Sequence, residues 1–158
     1  MGVSTDAQLC FGIAVGNDEE MPWQTGKCDQ FDSDVEEWWM REVHKYKPPF
    51  ELFDENGEWL DGVVAPDDKA REYFKAAQDF ASRHPLPVDV VKHCSGDYPM
   101  YIIAVPGTWT RAHRGFPREI DSNKMSFDIK DAAALIKFCD DYGIAGEGPA
   151  WWLSSMWW

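Results

Sequence analysis

The side chains with chemical potential fall into three groups: thiols with imidazoles, a cluster of arginines, and many carboxylates. His93-Cys94 stands at the end of a valine-rich stretch and just before the turn Ser95-Gly96-Asp97. A nucleophilic thiol needs electropositive surroundings and a positioned base. Only folding could bring a histidine to Cys94, and the plainer reading is a small residue closing a strand. Zinc ligands come as close pairs such as C-x-x-C or H-x-x-x-H. Here His44, His84, His93 and His113 are scattered, as are Cys10, Cys28, Cys94 and Cys139. No metal and no cofactor is expected. Neither G-x-G-x-x-G nor G-x-x-x-x-G-K-[ST] occurs, so no phosphate-binding loop is predicted. The adjacent acids Glu19-Glu20, Glu36-Glu37, Asp67-Asp68 and Asp140-Asp141 point in different directions on any regular element, so they are not paired for acid–base work. No catalytic residue is assigned, and the chain reads as a binding protein and not as an enzyme.

Two binding surfaces remain. The first is acidic. The net charge is −13, and 15 of the 28 Asp and Glu but only 4 of the 15 Lys and Arg lie in residues 1–62. Such a balance excludes direct nucleic-acid binding, which needs cations against phosphate, and adhesion to anionic membranes. It suits a basic partner surface, including one that normally holds DNA or RNA. Asp32, Asp34, Glu36, Glu37, Glu42, Asp54, Glu55 and Glu58 are the residues expected to carry it. Simple solubility is the competing explanation. The second surface is a basic island. Arg111, Arg114 and Arg118, with Trp109 beside them, could hold a nucleotide-like anion through guanidinium forks and ring stacking. Internal salt bridges are the competing explanation. No run approaches the ~18 apolar residues of a membrane helix, and the start does not read as a secretory leader. With unpaired cysteines, this points to the cytoplasm.

The elements that must position these groups follow from periodicity. Residues 7–15 alternate: Leu9, Phe11, Ile13 and Val15 face one way, and the smaller Gln8, Cys10, Gly12 and Ala14 face the other. Gly12 on the small face allows close approach. Ser33 with Glu36 forms a capping box that opens a helix over 33–46, ended by Pro48-Pro49. A hairpin turning at Asn56-Gly57 is expected over 50–62. A helix runs from Pro66 or Asp67 to Arg83 on the stripe Ala70, Tyr73, Phe74, Ala77, Phe80 and Ala81. Residues 88–94 and 98–105 read as antiparallel strands, the second apolar enough to be buried on both faces. Residues 106–126 read as irregular. Asp128 caps a third helix with the stripe Ala132, Leu135, Ile136 and Cys139, closed at Gly143. Trp151-Trp152-Leu153 is a short final extended piece. Together these give one α/β (α+β) domain over 1–158, a mixed or mostly antiparallel sheet with about three packed helices. Nine tryptophans are more than a chain of 158 residues can hide completely; core fillers with incidental surface rings are the plainer reading, and a dedicated aromatic binding face is the alternative.

Three stretches carry a resemblance: Asp6-Ala7-Gln8-Leu9-Cys10-Phe11-Gly12-Ile13, the segment from Ser95 to Pro106, and Trp151-Trp152-Leu153-Ser154-Ser155. They resemble a family of small acidic proteins of tailed bacteriophages and related mobile elements. The resemblance implies context without catalytic residues: an inhibitor of host defence, anti-CRISPR-like, acting in the cytoplasm of the infected bacterium. The implied partner is a defence protein or complex with a basic surface, since CRISPR effectors hold nucleic acid in charged channels.

Overall fold

Strand β1, Thr5–Val15, is the strand to which most of the sheet attaches. The computed structural model describes residues 5–16, 19–24, 35–50, 68–96, 99–121, 123 and 125–157. In it β1 pairs antiparallel along its length with β5, Gly146–Trp157. Its other edge meets β4, Thr110–His113, beside Asp6–Leu9, and β3, Pro99–Ala104, beside Gly12–Ala14. Strand β2, Asp89–Ser95, pairs antiparallel with β3 and touches β5 in parallel only at Cys94–Met156 and Ser95–Trp157. The pairings β1–β3–β2–β5–β1 form a circuit, so the mixed sheet curls back on itself, as closure of a sheet requires. Strand β4 is an added edge.

The expected double burial of β3 holds: Tyr101, Ile102, Ile103 and Ala104 are all buried. On one face Ile102 and Ala104 join Cys10 and Val91, with Trp152 packed against them. On the other, Trp23 meets the Tyr101 ring edge-on and Gln24 Nε2 donates to Tyr101 Oη at 3.1 Å. Burial of Ile102 and Ile103 contributes about 2 kcal/mol each.

Two readings of the sequence are corrected in this part of the chain. Residues 106–126 contain β4, and its four residues are too few to show a period. The final strand is 12 residues long, not a short piece around Trp151. Its first residues look like a loop because they are Gly-Glu-Gly-Pro. The glycines are there for proximity: a Cβ at Gly146 would lie 2.4 Å from Ala14 O, and one at Gly148 2.7 Å from Gly12 O. Helix α3, Ile129–Tyr142, starts as expected, with Asp128 Oδ1 accepting from Lys130 N at 2.9 Å, and ends at left-handed Gly143. Its buried face is Ala132, Leu135, Phe138 and Cys139; Ile136 is 42% exposed, because it stands at the flank of that stripe.

The chain groups into two compact units, residues 1–27 with 87–158, and residues 28–86. The sheet and α3 belong to the first. In the second, α1, Val35–Trp38, passes into a π-helical turn over Trp39–Val43. The expected helix to residue 46 stops there. Lys45 turns left-handed, and the Tyr46 amide folds back to Met40 O at 2.9 Å, closing the last turn. The capping residue Ser33 and all of the hairpin expected over 50–62 except Phe50 lie outside the described residues. Helix α2, Asp68–Arg83, buries Ala70 and Tyr73, whereas Phe74 is exposed and leaves the predicted stripe. Phe80, His84, His44, Trp39 and Tyr46 form an aromatic cluster with ring centroids 4.4 to 6.5 Å apart, tied by Trp39 Nε1 donating to His84 O at 2.9 Å.

Candidate functional site

The densest arrangement of polar groups is a ladder between β1 and β4. Antiparallel register sets Asp6 opposite His113 and Gln8 opposite Arg111. Period two then places Asp6, Gln8, Trp109, Arg111 and His113 on one face of this ribbon. Asp6 is the centre. Its side chain is 4% exposed, and Oδ2 accepts from Arg111 Nε at 2.9 Å and, more closely, from the Arg111 terminal nitrogen. Its Oδ1 lies 3.1 Å from His113 Nδ1. A buried carboxylate is stable only when charge-assisted bonds of this kind replace water. Gln8 continues the ladder, accepting from Trp109 Nε1 and donating to Lys92 O, both at 2.8 Å.

An aspartate holding a histidine is half of a general-base device. Among the described residues no nucleophile is assembled beside it. Ser155 borders the same depression, but its register partner is Ala7, which puts it on the opposite face of β1 from Asp6. Cys94 does not reach His113 either. In the row Cys94, Met156, Asp6, His113, two strands stand between them. The other described thiols are core groups. Burial pushes Cys10 up to about 12 and Cys139 up to about 11, with Asp89 and Asp140 adding to the respective shifts, so both stay protonated at neutral pH. Among the described residues, no three His, Cys, Asp or Glu side chains are grouped to hold a metal ion.

The anion site expected from Trp109, Arg111, Arg114 and Arg118 does not converge. Arg111 serves Asp6. Arg118 donates to the Arg111 carbonyl at 3.3 Å and lines, with the 45% exposed Trp109, a depression of about 290 Å³ that also takes Glu119 and Asp121. Arg114 lines a different depression, beside His113 and Phe116. The physical reason is β4 itself. As a strand it turns Arg111 inward against β1, where a loop would have left it to solvent.

Part of the expected acidic surface is described. Glu36, Glu37 and Glu42 are exposed on α1 and the π-helical turn. Glu37 meets Arg41 at 3.0 Å, and Glu42 meets Lys45 at 3.7 Å. Exposed pairs of this kind contribute about 0.3–0.5 kcal/mol each. Asp32, Asp34, Asp54, Glu55 and Glu58 lie outside the described residues. The sequence missed Asp6 as the organising group. The available signal was the alternation of β1, which continues one step back from Gln8 to Asp6.

No protein-family model, curated protein or solved structure matches the chain. Among the described residues, no helix is long and apolar enough to cross a membrane.

Proposed function

We propose that this chain is a non-catalytic inhibitor of a bacterial defence system, carried by a bacteriophage and acting in the cytoplasm of the infected host. Its acidic N-terminal part would hold a basic protein surface that otherwise binds nucleic acid. The observation that carries this reading is the charge asymmetry: 15 carboxylates against 4 cations in residues 1–62, with Glu36, Glu37 and Glu42 exposed. Arg41 and Lys45 offset Glu37 and Glu42 only in part, since these pairs are exposed, and the acids of 29–34 and 51–58 add to the attraction. The engagement of Arg111 by Asp6 supports this reading over the capture of a small anion.

The test is binding to a panel of guide-loaded CRISPR effector complexes. Affinity for the true partner should fall at least about tenfold between about 50 mM and about 300 mM salt, because exposed charges are screened over this range. Replacing Asp34, Glu36, Glu37 and Glu42 by Lys should abolish binding while leaving the circular dichroism spectrum intact. A complex bound equally well at both salt concentrations, or by the reversed variant, refutes the acidic-face reading.

A further inference from the structure

We infer that α3 is a self-association surface, on which a second copy of this chain packs antiparallel, independent of the acidic segment. Besides its buried face, the helix carries a second apolar stripe. Ile129, Ala133 and Ile136 follow i, i+4 and i+7 spacing and share a sector of about 60°. None of them belongs to the buried set Ala132, Leu135, Phe138 and Cys139. All three are exposed, and Ile129 keeps 81% of its surface, the largest fraction among the large apolar side chains described. Isolated exposed isoleucines are ordinary. Two aligned on one helix face, with a small residue between them, form a ridge and a gap that a second helix can fill.

The charges around the stripe say what covers it. Lys130 stands at its N-terminal end, and Asp140 and Asp141 at its C-terminal end, all exposed. Asp141 meets Lys137 at 2.6 Å and is still 48% exposed. A second α3 laid antiparallel sets each Ile129 against the other copy's Ile136. Ala133 then falls near the two-fold axis, where its small side chain lets the backbones approach to about 8 Å. Each Lys130 comes within about 6 Å, measured along the axis, of the other copy's Asp140 and Asp141, a gap that a lysine side chain spans. A parallel pair would instead set the carboxylates of both copies side by side. The stripe is thus complementary to its own reversal, as an isologous two-fold interface requires. A helix of 14 residues is about 21 Å long. The interface is therefore at the small end of specific ones, with a dissociation constant on the order of 10–100 µM.

The test is sedimentation equilibrium of the full chain from about 5 to about 500 µM, a range that brackets the expected constant. A thiol reductant is present because Cys94 is partly exposed. Salt at about 150 mM limits repulsion between copies of net charge −13 to about 8 Å. The mean mass should rise from that of one chain, 18.1 kDa, toward that of two. Ile129→Glu should weaken association at least about tenfold without lowering the thermal midpoint, since the side chain is outside the core and an acid suits the first turn of a helix. Lys130→Asp and Asp140→Lys should each weaken it at least about threefold, because every change counts twice across the two-fold axis. Combined, they should restore the parental constant; both also suit the helix dipole, so the fold is not at risk. A chain still monomeric at the highest concentration, parental association in Ile129→Glu, or a double variant no tighter than the single ones overturns the proposal. The acidic face is tested separately, by salt and charge reversal against its partner.

Discussion

Replacing Gly12 by Ala should be among the most damaging single-methyl changes in the chain. Gly12 is opposite Ala104 of β3 and Ala150 of β5, so strands flank it on both edges. A Cβ there would lie 2.3 Å from Ile103 O and 2.9 Å from Ala104 Cα, both backbone atoms that cannot swing aside as a side chain would. To reach even 3.0 Å, a limit that real Cβ contacts essentially never undercut, β3 must retreat by at least about 0.7 Å. The adjacent bond from Val105 N to Phe11 O is now 2.9 Å. The same retreat would stretch it to about 3.6 Å, beyond useful hydrogen bonding. Overpacking costs about 1–3 kcal/mol, and loss of one or two ladder bonds about 1 kcal/mol each. The reduced freedom of the unfolded chain returns about 0.4–1 kcal/mol. A net loss of about 1–4.5 kcal/mol follows, or a thermal midpoint lowered by roughly 2–18 °C for a chain of this size. Gly16→Ala is the control. Among the described residues its Cβ would meet only Glu19 Cγ, at 3.5 Å, and its stability should stay within about 0.5 kcal/mol of the parent or rise slightly. Urea titrations followed by far-ultraviolet circular dichroism measure the difference, and amide exchange at Ile103 and Val105 localises it. A Gly12→Ala protein within about 1 kcal/mol of the control would refute the closed β1–β3 contact.

Two further outcomes concern the titratable groups of the sheet. Asp6→Asn should destabilise the sheet unit by about 1.5–3 kcal/mol, because Arg111, 29% exposed, loses a charged acceptor that water replaces only in part. Combined with Arg111→Gln, the loss should be less than additive by about 1–2 kcal/mol in a double-mutant cycle; strict additivity would deny the pair. Burial lowers the pKa of His93 below its ordinary value, so the folded chain resists a proton that the unfolded chain accepts. The unfolded state therefore binds more protons on acidification. Stability should fall as the pH drops below about 6.5, by up to ~1.4 kcal/mol per pH unit, and level off once the folded value is passed. Denaturant midpoints measured across that range should vary less in His93→Gln, and an unchanged slope would remove His93 from the account.

The sequence by itself determined the elements whose signals are local. Alternation fixed β1 and its two faces, an apolar run marked β3, and Asp128 with Gly143 bounded α3, because side-chain period and capping act within a few residues. The α+β class followed from these. Gly12 was legible as a point of close approach, although not what approached it. Tertiary structure alone decided the rest. Strand β4 has only four residues, and its hydrogen-bonding partner is about a hundred positions away in β1. The glycine-rich start of β5 looks like a loop until its nearness to Ala14 and Gly12 is seen. The functional consequence is largest at Arg111. Among three arginines in a loop it would be an anion ligand; on a strand beside a buried Asp6 it is a counter-ion. Charge, by contrast, needs no fold to be counted, which is why the acidic character of the first 62 residues was readable from composition alone.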